Sequence, residues 1–400
     1  MKVALFANRF PSTSETFIYN HAAGLHAAGV DVTVVATRAE NDAEMFADFD
    51  GVRYDGPVRH QVVLPGKPLT TMRNFGARMS RDGTRAMAVW RAAQQRYGIS
   101  KRAARAALIA MPFDAFDIVH LEYTGLAVSW LDGLPLRSHA KLVVSCRGAA
   151  EQITPLVEPE RGESLRQVFS LCDRVHCVSL DMQRTCEQYG LDPAKAFVNR
   201  PAIDVHRFRR ATPYVARDRG PYRLLSTGRL HWKKGLEYAL LAVRQLLDAG
   251  RPVTYDIIGA GREEERLRFA VHDLGLTEHV SFLGRQSSTE VRAALERADI
   301  YLLPSLSEGI SNAALEAMAM EVPLVTTPAG GMNEAVRDGI EGMVVPPRDP
   351  RAMAEGISRL LDDGPTRATI GRAARSRVER DFSLERQVSV YLKEYESLLS

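Results

Sequence analysis

The chain opens with a short apolar run, KVALFA at 2–7, then helix-spaced residues near Glu15 to Ala28, a stop at Gly29 and a β-branched run, DVTVVAT. Short apolar runs bounded by glycine read as strands, and the 3.6-residue spacing between these two reads as a helix, so the opening predicts a β-α-β unit. Further unbroken apolar runs follow at DIVHL (117–121), KLVVSC (141–146) and RVHCVS (174–179), the last preceding a helix that ends at Gly190. Strands with no polar face imply a parallel sheet covered on both sides.

The pattern breaks at RFRRATPYVARDRGP (207–221), where charges and two prolines replace periodic apolar positions, as in a connection between domains. It then restarts. YRLLSTG (222–228) leads to a helix with Leu236, Ala239, Leu240, Val243 and Leu247 on one face, closed by Gly250. VTYDIIG, VSFLG, DIYLLP, PLVTT and MVVP repeat the strand signal. The reading is two α/β domains, residues 1–206 and 218–380. A last helix, 384–400, carries Val388, Tyr391, Leu392 and Tyr395 at helical spacing, so one face needs cover from its own domain or the first.

Composition supports two domains: 400 residues, 45% hydrophobic and 25% charged, exceed one ordinary compact unit. The net charge of +3 is the small difference between 52 basic and 49 acidic side chains, which argues against a nucleic-acid partner. After Lys2 only five apolar residues precede a polar stretch, too few for a secretory signal, and no apolar run reaches the roughly 20 residues of a membrane span. A cytoplasmic protein, soluble or peripheral on the inner face of the plasma membrane, is expected. Cys146, Cys172, Cys177 and Cys186 lack C-x-x-C spacing and read as reduced, buried thiols.

Two segments carry candidate chemistry. In GRLHWKKG (228–235) a glycine ends a strand, Arg229 follows, and Lys233 and Lys234 precede the glycine that opens a helix. Unpaired amides and the positive end of a helix dipole attract phosphate, and Arg229 and Lys234 can add charge-assisted bonds. The same residues also suit a solvated basic turn. In LPSLSEGISNAALEAMAM (303–320) a strand ends in a polar loop with Ser311 or Asn312 as helix N-cap. There Glu308 can accept from sugar hydroxyls, while the amides of Gly309, Ile310, Ser311 and Asn312 can hold phosphate oxygens. Glu316 is the sole charge on an otherwise apolar helix, and a carboxylate there needs a partner.

Glu308 and Glu316, with seven residues between, resemble the E-x7-E signature of the family-four retaining glycosyltransferases. The resemblance extends over G-R-L-x-x-x-K-G (228–235), IIGAG (257–261), FLG (282–284), DIYLLPSLSEG (299–309) and PLVTTPAGGMNE (323–334). FPSTSETFI (10–18) and NRPAIDVHRF (199–208) are similar to segments of exopolysaccharide- and colanic-acid-type members. The resemblance implies a GT-B fold, two facing Rossmann-like domains with an interdomain cleft. It also implies transfer of a sugar from a nucleotide diphosphate sugar to a saccharide or lipid-linked saccharide acceptor in bacterial cell-surface polysaccharide synthesis. Arg229 and Lys234 would neutralise the donor diphosphate, Glu316 would hold the ribose hydroxyls and Glu308 would contact the donor sugar. Gly228, Gly259, Arg285 and Arg147 would complete the donor contacts, and no metal is required. Where the family often has a first-domain histidine this chain has Glu122, with His120 two residues earlier on the same strand face. Those two are the candidates for acid/base chemistry, His120 alternatively being a packed strand-end residue. Arg147 stands in Cys146-Arg147-Gly148, where the family commonly has a histidine-glycine pair, and offers the cleft a cation or merely caps a strand.

Other signals weigh less. Gly259 and Gly261 suggest a dinucleotide loop, but Glu264 occupies the third glycine position. Asp48-Phe49-Asp50 is a D-x-D in a polar stretch and reads as chance. Between Arg73 and Arg105 nine basic residues face only Asp82, which suits an anionic membrane surface, a lipid diphosphate acceptor or a solvated helix pair. The alternatives to a transferase are a nucleotide-sugar-binding subunit without turnover and a nucleotide-sugar epimerase or hydrolase on the same architecture.

Overall fold

A computed structural model describes residues 1–10, 15–38, 59–62 and 83–400. The chain divides into two compact units, residues 1–199 with 388–400, and residues 200–387. Among its described residues the first holds seven parallel strands: β1 (Lys2–Arg9), β2 (Asp31–Arg38), β3 (Arg59–Val62), β4 (Ile118–Leu121), β5 (Lys141–Cys146), β6 (Arg174–Cys177) and β7 (Ala196–Val198). Their order is β3-β2-β1-β4-β5-β6-β7. Every residue from Val3 to Ala7 is fully buried, and alternation sends them to opposite cores. Val3, Leu5 and Ala7 join Val32, Val34, Ile118 and Val143, while Ala4 and Phe6 join Val119, Leu121, Leu142 and Val144. Two covered faces are why these strands read as unbroken apolar runs. The short β3 and β7 carry too little apolar sequence to be read in advance. All four cysteines are buried free thiols.

The second unit repeats the plan with β8 (Tyr222–Thr227), β9 (Val253–Ile258), β10 (Val280–Gly284), β11 (Ile300–Leu303), β12 (Leu324–Thr326) and β13 (Gly342–Val344). These run parallel in the order β10-β9-β8-β11-β12-β13. Leu224, Tyr255, Ile257, Ile300 and Leu302 face one core, and Leu225, Ile258, Tyr301 and Leu303 the other.

The boundary between units differs from the one expected. Residues 207–221, read as a connection, belong to the second unit. The Arg210 guanidinium donates to the carbonyls of Leu295, Glu296 and Met320, and Tyr214 Oη donates to the Asp299 carbonyl at 3.0 Å. Fully buried Arg367 donates to Tyr214 Oη, the Leu360 carbonyl and the Arg217 carbonyl. Polar stitching of this kind leaves no hydrophobic periodicity for a sequence reading to find.

From residue 388 onward the helix Leu384–Leu399 belongs to the first unit, with Val388, Tyr391 and Tyr395 in its core. The helix Thr16–Ala27 meets it at Gly24, where an added Cβ would lie 2.3 Å from Val388 Cγ2. Among the described residues no helix is long and apolar enough to cross a membrane. Asp48-Phe49-Asp50, residues 11–14 of the opening loop and residues 73–82 of the basic stretch lie outside the described residues.

Candidate functional site

In the second unit the chain runs from β8 outward to β9 and β10, then returns to lay β11 on the other side of β8. That reversal is a topological switch point, where the loops leaving two adjacent parallel strands diverge and open a crevice at their carboxyl ends. The two loops here are 228–235 after β8 and 304–311 after β11, the segments singled out in the sequence. A recess at this point is lined by Ser226, Thr227, Gly228, Arg229, Lys234 and Pro304, with Ile258 and Leu303 among its apolar residues.

Glycines let the backbone cross there. Gly259 has φ +142°, and a Cβ on it would sit 1.8 Å from the Gly228 carbonyl oxygen; one on Gly261 would sit 2.1 Å from the Leu230 carbonyl oxygen. The Gly228 amide donates to the Ile258 carbonyl at 2.9 Å, and the Gly259 amide to the Gly284 carbonyl at 2.7 Å. Gly228, Gly259 and the residue before Arg285 are thus knitted together, while the Arg285 side chain is exposed. Gly235, with φ +60°, opens the helix Leu236–Asp248 against the Pro304 carbonyl.

Lys234 Nζ forms an ion pair with Glu308 Oε1, which also accepts from Ser305 Oγ at 2.9 Å. The two β-α loops are therefore joined by charge. Lys233, half-buried beside them, is pushed below the usual lysine range by burial and by Lys234 and Arg229, Glu308 opposing. Burial, Lys233 and Arg229 lower His231. Arg229, Lys233, Lys234 and Glu308 thus occupy one electrostatic neighbourhood, rich enough in cations to attract a diphosphate.

Glu316 lies on the helix Asn312–Ala319, whose other central positions are apolar and buried. Its carboxyl is pushed up to about 7 by burial, with Arg207 pulling it down. It makes no hydrogen bond with any described residue. Tyr301, buried on β11 and bonded to Thr227, feels the charge of both Glu316 and Glu308, which raise it further after burial. Of the four groups named from sequence, Arg229, Lys234 and Glu308 follow the carboxyl ends of β8 and β11, and Glu316 lies on the helix after the second of these loops. In the loop before the helix, the Ser311 amide is turned to Met332 Sδ at 3.4 Å and the Gly309 carbonyl accepts from Gly331. Ile310 and Ser311 are buried, and Asn312 Oδ1 is buried with no partner among the described residues. The Ser311 amide is thereby withdrawn from the expected row of phosphate donors.

The first unit corrects the reading of His120. Expected on a substrate-facing strand end, it is fully buried with both ring nitrogens occupied, Nδ1 by Tyr395 Oη at 2.5 Å and Nε2 by Ser145 Oγ at 2.7 Å. Burial drives its pKa to about 3 against the pull of Glu122, so the ring stays neutral. Ser145 Oγ also meets His176 Nδ1 at 2.8 Å, and His176 Nε2 meets the Asn199 carbonyl at 2.7 Å. Glu122 is equally buried: Oε1 meets His21 Nδ1 at 2.7 Å, and Oε2 pairs with Arg147. Burial alone would raise this carboxyl, but Arg147 first, and then His21, hold it well below the usual range. Arg147 also donates through Nε to the Glu122 carbonyl at 3.1 Å and covers the Phe17 ring at 4.1 Å. Such an arrangement ties the C-terminal helix, through Tyr395 and Tyr391, to β4 and β6, and it argues against a proton-transfer role for His120 or Glu122. His21, Ser145, His176 and the tyrosine hydroxyls were missed from sequence. Tyr391 and Tyr395 stood out only as a packing face.

Comparison with known proteins places the chain among sugar transferases. Residues 14–207 match the family model described as Glycosyltransferase Family 4, and residues 212–377 the one described as Glycosyl transferases group 1. A putative colanic acid biosynthesis glycosyltransferase, WcaL, of Salmonella typhimurium is 30% identical over 98% of this chain and 100% of its own. The amylovoran biosynthesis glycosyltransferase AmsK of Erwinia amylovora is 29% identical over 96% of both. Among solved structures, Anabaena Alr3699/HepE in complex with UDP superposes with a TM-score of 0.75 at 17% identity, covering 99% of this chain and 100% of that one. S. aureus TarM gives 0.75 at 12% identity, over 98% of each. The fold is the two-domain α/β architecture of the GT-B glycosyltransferases. With the whole length matched at this identity, the chain belongs to the group 1, family-four glycosyltransferases.

Proposed function

We propose that the chain transfers a sugar, with retention of anomeric configuration and without a metal, from a nucleotide diphosphate sugar to a saccharide or lipid-linked saccharide in cell-surface polysaccharide synthesis. The observation that carries the reading is the switch-point recess of the second unit, where Arg229 and Lys234 line one wall and Lys234 bridges to Glu308. Relatives named for colanic acid and amylovoran synthesis support the polymer class, and a structural neighbour solved with UDP-glucose supports the donor class.

As the bond from the sugar carbon to the β-phosphate oxygen breaks, negative charge grows on the leaving diphosphate. Arg229 and Lys234 are already in place for that charge, and groups fixed before the reaction stabilise a transition state without reorganising. The acceptor hydroxyl proton goes to the departing phosphate, which needs no base from the first unit and accords with the burial of His120 and Glu122. Glu308, on the same loop as its Ser305 donor, accepts from the donor sugar hydroxyls, and Glu316 from those of the ribose.

The test is release of nucleotide diphosphate from UDP-, GDP- and ADP-sugars with a panel of saccharide acceptors, with the product anomer read by NMR. Glu308→Ala should reduce turnover at least a hundred-fold, and unchanged turnover would refute its role. An inverted product would remove the retaining assignment. Nucleotide release that no acceptor accelerates would instead favour a hydrolase.

A further inference from the structure

The helices Gly83–Tyr97 and Lys101–Ala110 form a hairpin in the first unit that the transferase reading does not use. From residue 83 to residue 110 there are six basic side chains and no acidic one. Arg85, Arg91, Arg96, Lys101, Arg102 and Arg105 are all exposed. The inward face explains this: Ala86, Val89 and Ala93 of one helix and Ala103, Ala106, Ala107, Ile109 and Ala110 of the other are buried, so the six cations are left on the outward faces. Arg102 is satisfied locally by Asp132 at 2.6 Å, and Arg105 donates to the Ser129 carbonyl. Arg85, Arg91 and Lys101 make no hydrogen bond or ion pair with any described residue.

The turn between the helices is held firmly. Gly98 takes a left-handed φ of +66°, Ser100 Oγ donates to the Tyr97 carbonyl at 2.9 Å and accepts the Ala103 amide at 3.1 Å. At its apex Ile99 is 90% exposed, flanked by Arg96, Lys101 and Arg102. An exposed β-branched residue on a fixed turn, ringed by cations, is matched by a surface with anionic headgroups over an apolar interior. A soluble polyanion would complement the cations and leave Ile99 in water.

We propose that this hairpin docks the chain on an anionic bilayer surface, with Ile99 entering the interface and the cations contacting lipid phosphates. The inference stands apart from the transferase assignment.

The test is flotation of the full chain with vesicles of phosphatidylcholine alone and with about a third phosphatidylglycerol, at low and high salt, since screening should weaken the contact. The wild type should float only with the anionic vesicles at low salt. Arg85→Gln, Arg91→Gln and Lys101→Gln combined should weaken that binding about a hundred-fold, at roughly five-fold per cation. These residues have no partner among the described residues, so the thermal melt and nucleotide binding should stay as in wild type, which separates this test from that of the transferase site. Ile99→Ser should weaken vesicle binding about ten-fold with the charge intact. Equal flotation with neutral vesicles, or undiminished binding by the triple variant, would overturn the proposal. So would binding to soluble dextran sulfate that matches the vesicle affinity while Ile99→Ser changes neither.

Discussion

Replacing Glu316 with glutamine should stabilise the unliganded chain above neutral pH while weakening its hold on a nucleotide. The carboxyl sits on an apolar helix with no hydrogen-bond partner among the described residues, and burial raises its pKa from 4.5 to about 7. In the unfolded chain the proton leaves near 4.5; in the folded chain it is kept until about 7. Between those values the unfolded state binds fewer protons, so stability falls as pH rises, and the full cost is reached above 7. At about 1.4 kcal/mol per tenfold change in proton affinity, the ceiling is about 3 kcal/mol, less to the extent that water reaches the half-buried group. Glutamine does not titrate and escapes this cost. Urea unfolding followed by circular dichroism should show Glu316→Gln more stable than wild type by about 1–3 kcal/mol at pH 8, and by only a small part of that at pH 5. Affinity for the donor nucleotide, measured by titration calorimetry, should fall roughly ten- to a hundred-fold as charge-assisted bonds to the ribose are lost. A stability gap that does not depend on pH, or a variant less stable than wild type at pH 8, would refute the view of Glu316 as an unpartnered, desolvated carboxylate. Unchanged nucleotide affinity would refute its ribose assignment.

Lys234→Ala removes one of the cations lining the recess and breaks the ion pair to Glu308, and should lower kcat about a hundred-fold or more in a nucleotide-release assay. Gly259→Ala places a Cβ 1.8 Å from the Gly228 carbonyl oxygen, where only backbone can yield, so the second unit should melt several degrees lower and lose nucleotide binding together. Glu122→Gln leaves the Arg147 guanidinium without its buried anion and should cost about 3 kcal/mol or more in urea unfolding, whereas a catalytic Glu122 would show lost turnover at unchanged stability.

Local pattern carried most of the fold. Runs such as KVALFA and YRLLST are apolar at successive positions because both faces of their sheets are covered, and this alone announces parallel β/α units. The basic loop at 228–235 and the carboxylates at 308 and 316 stand out as candidates in the same way, since glycine, lysine and a lone charge on an apolar helix are local signals. What the sequence left open was which distant groups meet. That the loops after β8 and β11 share one recess depends on strand order, and the pairing of Lys234 with Glu308 follows from that reversal. His120 and Glu122 share a strand face in either reading, but only the helix laid over β4 and β5 decides whether that face meets solvent or tyrosine hydroxyls. The attachment of residues 207–221 is hidden for a related reason: polar guanidinium bonds to carbonyls hold them to the second unit, and such bonds leave no periodic trace. Periodicity is set by neighbours three or four residues away, whereas burial of a polar side chain is set by whatever element the tertiary fold brings over it.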